Sequence, residues 1–320
     1  MSENNKNNGC FPEIDIETAK EYSKISDRNI QELLERANAL RHQYKKNKVF
    51  TCGIINAKSG LCSQDCAFCA QSIHHQTHTK TFPLFEKQTM INHALGLEDN
   101  GASHFSIVTS GLRLSGHEID TICSAMIEIK KRTNLILCAS LGTITSQRAR
   151  KLKQSGVTNY HHNLETAQSF FDHICTTHEY EDDIETIHQA KSAGLRVCCG
   201  GIMGLGESWE QRIELAFLLK ELNVDSIPIN FLNPIPGTQL ENQPLLSSLS
   251  ALKCIALFRL IHPDKDIVIC GGREKTLKED QTRLFFAGAN GLMIGNYLTT
   301  PGRQIEIDLA MIRDQGFVVC

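Results

Sequence analysis

Eight short runs rich in β-branched and apolar residues alternate with helical patterns along this chain. That alternation restricts the possible architectures more than any other feature. The runs fall at 49–56, 104–109, 135–141, 158–164, 195–200, 225–231, 267–271 and 291–295. Helical periodicity covers 117–132, 145–155, 182–193, 207–222, 248–261 and 276–288. Several helical stretches end near glycine, as in Lys153-Gln154-Ser155-Gly156 and Lys191-Ser192-Ala193-Gly194. Strands that alternate with helices imply parallel βαβ units, and eight units in about 270 residues match a closed, TIM-type (β/α)8 barrel. A doubly wound sheet shares the pattern and stays open as the alternative. Ahead of the barrel, 26–46 reads as an amphipathic helix with Ser26 or Asp27 as N-cap and Leu33, Leu34, Ala37, Leu40 and Tyr44 on one face. Residues 1–15 read as a loosely docked tail. The expected division is 1–48, a tail and helical extension packed on the barrel, and 49–320, the barrel itself.

Charge and hydropathy narrow the partners. A net charge of −3 gives no reason to expect nucleic acid or an anionic membrane surface. No run approaches 18 apolar residues, so no membrane-spanning helix is expected. The polar start, MSENNKNNGCFPEID, does not read as a signal peptide. The 13 cysteines are therefore expected in the reducing cytoplasm, as metal ligands or as small buried hydrophobes. Position along the chain must separate the two.

Cys62, Cys66 and Cys69 follow the first strand, where a barrel's C-terminal face carries its active site. Three thiolates in one short loop can each bind one iron of a cubane cluster. Zinc sites usually have a fourth ligand nearby, and none follows in this loop. One iron is then left open to a chelating substrate. Cys62-x3-Cys66-x2-Cys69, with Phe68 before the last cysteine, resembles the signature of the radical S-adenosylmethionine superfamily. That resemblance implies a 4Fe–4S cluster whose open iron binds S-adenosylmethionine, with the Phe68 backbone beside the adenine.

From about residue 49 to 300 the chain is similar to the biotin synthase family. Tyr160-His161-His162-Asn163-Leu164-Glu165-Thr166, Gly200 to Glu207, Ser226 to Pro234, Gly271-Gly272-Arg273-Glu274 and Ala287-Gly288-Ala289-Asn290 carry the similarity. It implies that Asn163 and Asn230 contact dethiobiotin, that Glu165 holds the ribose hydroxyls, and that Gly204 and Gly206 let the adenosyl group approach the backbone. An uncharged ureido ring needs paired donors and acceptors, and asparagine offers both. Read without the resemblance, the glycines are turn residues, Asn163 and Asn230 are strand-end caps, and His162, on the opposite strand face from His161, is a satisfied core histidine. The resemblance also brings a flavodoxin- or ferredoxin-type electron donor and a homodimer.

Family members hold a second, 2Fe–2S cluster deeper in the barrel with three cysteines and one arginine, and it supplies the sulfur. Cys138 and Cys198 match two of those ligands; Ser106 and Val268 stand at the other two. Cys270, two residues beyond Val268, shares its strand face, and Cys52 lies mid-strand in the first run. Cys52, Cys138, Cys198 and Cys270 would come from strands one, three, five and seven and share one barrel layer. Four thiolates suit a four-iron auxiliary cluster better than the arginine-capped 2Fe–2S form. Cys199 is expected to point away, under a helix. Asp183 stands where relatives often carry an arginine facing the carboxylate of S-adenosylmethionine, with Arg113 or Arg196 as possible replacements. Competing expectations are another radical barrel enzyme, of mutase or cofactor-maturation type, and a non-catalytic iron–sulfur carrier.

Overall fold

In a computed structural model that describes residues 14–320, eight parallel strands close into a barrel. The strands are β1 (Lys48–Lys58), β2 (His104–Thr109), β3 (Ile136–Ser140), β4 (Asn159–His161), β5 (Arg196–Cys198), β6 (Gly201–Met203), β7 (Ser226–Phe231), β8 (Asp266–Ile269), β9 (Gly291–Met293) and β10 (Val318–Val319). The order β1-β2-β3-β4-β5-β7-β8-β9 returns to β1, so the ring closes and the doubly wound alternative is excluded. β6 continues β5 along β7, and β10 pairs with the start of β1 outside the ring.

The helices are α1 (Ile16–Ser23), α2 (Ile30–Lys45), α3 (Lys87–Asp99), α4 (Gly116–Arg132), α5 (Ser146–Gln154), α6 (Gln168–Phe171), α7 (Tyr180–Ser192), α8 (Trp209–Glu221), α9 (Ser248–Ile261), α10 (Arg273–Leu277) and α11 (Ile305–Asp314). Local chemistry fixes several starts. Ser115 and Ser208 cap α4 and α8, and the third helical residues Glu118 and Gln211 return hydrogen bonds to the cap backbone. α1 and α2 pack on α8 and α9, and Leu33, Leu34, Ala37 and Leu40 are buried there. Tyr44 is 44% exposed and does not belong to that face.

The run 195–200 is not one strand. Gly200 leaves the ladder to donate its N–H to Asn163 Oδ1 at 3.2 Å, which splits β5 from β6. The helix expected at 276–288 is also absent: α10 ends at Leu277 and a 3-10 segment follows, with Lys278 at φ +48°. Residues 278–283 offer no apolar face to hold a longer helix, and the largely buried apolar run 284–287 comes only after the helix has ended. α1, α3, α11, β6 and β10 are elements the hydrophobic pattern did not single out. The expected tail lies outside the described residues except for Ile14 and Asp15.

Candidate active site in the barrel interior

The C-terminal mouth and the interior form one cavity of about 450 Å³. Its wall includes Cys62, Cys66 and Phe68 from the loop after β1, Asn163 and Glu165 after β4, Asn230 on β7, and Cys52, Cys138, Cys198 and Cys270.

The Cys62–Cys69 loop is held by its own backbone and by a distant segment. Cys62 donates its N–H to Gln71 O at 3.0 Å, and Cys69 N–H closes a turn on Cys66 O at 2.8 Å. The Asp65 carboxylate accepts from Thr176 N at 2.9 Å, and Ala67 N–H donates to Ile174 O at 2.8 Å. Burial acts to raise the Asp65 carboxyl, but hydrogen bonds from Thr176, Cys175 and Thr177 outweigh it and hold the group well below the usual carboxylate range. Cys69 is not part of the cavity wall. Burial pushes its thiol up to about 11, and the nearby Cys62 adds to the effect. Phe68 packs against Leu205, Leu232 and Ile174. Gly204 and Gly206 flank Leu205 at φ +97° and +114°, a region that favours glycine, and neither lines the cavity.

Cys175 was not singled out by the sequence. Its Sγ lies 3.8 Å from Cys66 Sγ, 3.3 Å from Asp65 Oδ1 and 3.2 Å from His178 Nδ1. The two thiols are 109 positions apart, so no spacing signals the contact.

Asp183 is 4% exposed and clamped by two imidazoles: His162 Nε2 at 2.7 Å and His178 Nε2 at 3.3 Å. Burial acts to lower the His178 pKa, but Asp183 and Cys175 outweigh it and raise it to about 10. His162 is thus satisfied by Asp183, but it lies beyond β4 and lines the cavity, so it is not the core histidine of an outward strand face. Arg196 cannot replace a cation at the mouth. It lies at the start of β5, at the opposite end of the barrel, with Asp225 at 3.6 Å and Asp266 at 3.4 Å. Glu165 sits at φ +61°, and its backbone oxygen packs so closely on Gly201 that a Cβ there would come within 2.4 Å. Burial raises the Glu165 carboxyl to about 8, with Asp183 adding to the shift. Asn163 Nδ2 donates to Glu165 Oε2 at 3.2 Å, and Asn230 Oδ1 accepts from Gly271 N at 3.0 Å.

Strand register gives the depth of each interior thiol. Hydrogen-bonded partners in a barrel lie along a line inclined to its axis, so a level ring advances one residue per strand when eight strands carry a shear of eight. Cys52 pairs with His104, so the ring moves to Phe105; Phe105 pairs with Leu137, giving Cys138. The same step leads through Tyr160, Cys198, Ile227, Val268 and Leu292, and Leu292 pairs with Thr51, which returns the ring to Cys52. Cys52, Cys138, Cys198 and Val268 therefore form one inward layer. Cys270 stands two residues above Val268, one odd-strand layer nearer the mouth, and does not share the depth of the other three. Parity along the strand fixes a side chain's face but not its height. Cys199 faces the opposite way and is fully buried in the outer core.

These residues fit iron–sulfur clusters. Burial pushes Cys52 and Cys198 up to about 12 and Cys138 and Cys270 well above the usual thiol value. Thiols this reluctant to ionise alone are expected to need metal before they become thiolates. Among the described residues no three His, Cys, Asp or Glu side chains converge as tightly as a single ion requires. A cluster places each thiolate on its own iron and needs a wider spread. The Ser106 hydroxyl, buried on the same cavity, has no protein partner.

A parallel eight-stranded barrel with a three-cysteine loop at its mouth defines a radical S-adenosylmethionine protein. The Radical SAM superfamily matches residues 58–219, and the Biotin and Thiamin Synthesis associated domain matches 228–318. The chain is 53% identical over 304 residues to a biotin synthase of Syntrophus aciditrophicus, covering 95% of this chain and 94% of that protein. It is 49% identical to a biotin synthase of Citrifermentans bemidjiense, covering 94% and 93%. The chain belongs to the biotin synthase family. In fold it is similar to methylornithine synthase (TM-score 0.84, 18% identity, 97% of this chain and 95% of that one). It is also similar in fold to an FeFe-hydrogenase maturase from Carboxydothermus hydrogenoformans (0.82, 13%, 96% and 76%). Family membership implies a 4Fe–4S cluster and S-adenosylmethionine. No described helix is long and apolar enough to cross a membrane.

Proposed function

We propose that this chain inserts sulfur into dethiobiotin to form biotin, using S-adenosylmethionine at the mouth and an auxiliary iron–sulfur cluster below it. The observation that carries this reading is the single cavity shared by Cys62 and Cys66 above and by Cys52, Cys138, Cys198 and Cys270 beneath. Bound at these two levels, the clusters supply the electron that cleaves S-adenosylmethionine and the sulfide that becomes the ring sulfur. Cys62, Cys66 and Cys69 hold the upper cluster. The Phe68 backbone and Glu165 bind the adenosyl group, and Gly204 and Gly206 shape the support behind Phe68. Asn163 and Asn230, between the two levels, orient the ureido ring. The closed wall keeps water from a substrate radical.

Cys52, Cys138, Cys198 and Cys270 hold the lower cluster. Four protein thiolates support a four-iron form over the arginine-ligated diiron form, since Val268 cannot bind metal. In this reading 1–48 is a helical extension on a 49–320 barrel. A flavodoxin- or ferredoxin-type protein donates electrons, and the chain works as a cytoplasmic homodimer. Anaerobic assays of Cys52→Ala and Cys270→Ala test the central claim. Biotin formation is expected to stop while 5′-deoxyadenosine still forms, and the iron lost is expected to equal the auxiliary cluster's share. Normal biotin yield from both variants would sink the reading.

A further inference from the structure

Between the layer of Cys52, Cys138 and Cys198 and the higher Cys270 lies a layer contributed by the even strands of the barrel. Register places Ser106, His161, Pro228 and Met293 in it, and all four line the cavity. A group held by three thiolates from below and one from above must occupy this level. Only two side chains of the layer carry a polar hydrogen. Ser106 is 5% exposed, pairs in register with Cys138, and leaves Oγ without a protein partner. His161 pairs in register with Cys198, and its Nδ1 lies 3.1 Å from Ser140 Oγ. When the Ser140 hydroxyl donates to that nitrogen, the other ring nitrogen carries the donor hydrogen, for which the neighbouring Asn163 side chain is a competing partner. β2 and β4 flank β3, so the two groups stand on either side of Cys138.

We propose that Ser106 and His161 are positioning residues that donate hydrogen bonds to the sulfur atoms of the auxiliary cluster, on the two sides of Cys138. This rests on the auxiliary cluster of the preceding section and adds what holds and tunes its sulfur. An unpartnered hydroxyl in a buried wall is costly unless a ligand or water accepts its proton. Cluster sulfides and ligand thiolates are acceptors, and pyrrolidine and thioether side chains complete the layer without competing for them. Hydrogen bonds to cluster sulfur stabilise the reduced, more negative state and so raise the reduction potential.

The test uses the full-length chain carrying Cys62→Ala, Cys66→Ala and Cys69→Ala, reconstituted anaerobically so that only auxiliary iron remains. Ser106→Ala, Ser106→Thr and His161→Phe are added singly, with iron content, Mössbauer parameters and midpoint potential as readouts. Iron content is expected to hold, with the potential moving negative in Ser106→Ala and His161→Phe and returning in Ser106→Thr. Full iron with unmoved potential and spectra would overturn this inference alone. Iron lost on replacing His161 would also overturn it, by making His161 a ligand. An iron-free parent would overturn the auxiliary cluster and this inference together.

Discussion

The mouth loop and the barrel interior both gather cysteines, but they do so at different ranges along the chain. Cys62, Cys66 and Cys69 lie within one loop, shaped largely by backbone bonds such as Cys69 N–H to Cys66 O. Cys52, Cys138, Cys198 and Cys270 come from four strands and meet only when the ring of strands closes. A short loop costs little entropy to order, and this one is tied to 174–177 by a few bonds, whereas the interior set is part of the cooperative core. A radical cluster can therefore be recognised from spacing, while an auxiliary site depends on every register in the barrel.

The largest effect expected to sharpen this contrast is at the loop. Cys66→Ala should abolish reductive cleavage of S-adenosylmethionine, measured as 5′-deoxyadenosine, while thermal stability changes little. A large drop in melting temperature would mean that the loop is coupled to the core after all. Next in size is Glu165, inside the closed wall. Its carboxyl is raised to about 8 from an unfolded value near 4.5. The neutral form favours folding, so this contribution is full below about pH 4.5 and declines as pH rises through 8. Glu165→Gln should flatten that decline in the ligand-free protein, by up to a few kcal/mol near pH 9. Parallel stability profiles for the two proteins between pH 5 and 9 would refute the assignment.

Smaller effects are expected between the two levels. Asn163→Ala or Asn230→Ala should weaken dethiobiotin binding by about 1–3 kcal/mol, read by calorimetry, because the buried ureido group loses a partner. Unchanged affinity in both variants would count against that substrate pose. The smallest effect is at the far end. Arg196 is half exposed, and Arg196→Ala should cost about 1 kcal/mol or less in stability and leave S-adenosylmethionine affinity unchanged. A large loss of that affinity would show that the two ends of the barrel communicate.

The sequence by itself determined the alternation of strands and helices, the three-cysteine loop and the family, while closure of the strands into a ring was settled by tertiary structure. Strand periodicity, helix caps and the Cys62–Cys69 spacing are short-range signals, and each survives without knowledge of the fold. It also determined which cysteines face inward, since side chains alternate along a strand. Only tertiary structure decided their height: the ring's one-residue advance per strand sets Val268 level with Cys52, Cys138 and Cys198, and lifts Cys270 to the next odd-strand layer. The break at Gly200, the clamp of His162 and His178 on Asp183, and the meeting of Cys175 with Cys66 were likewise decided there. Each joins segments distant in sequence through contacts that exist only once the barrel has closed, and no local pattern encodes such a contact.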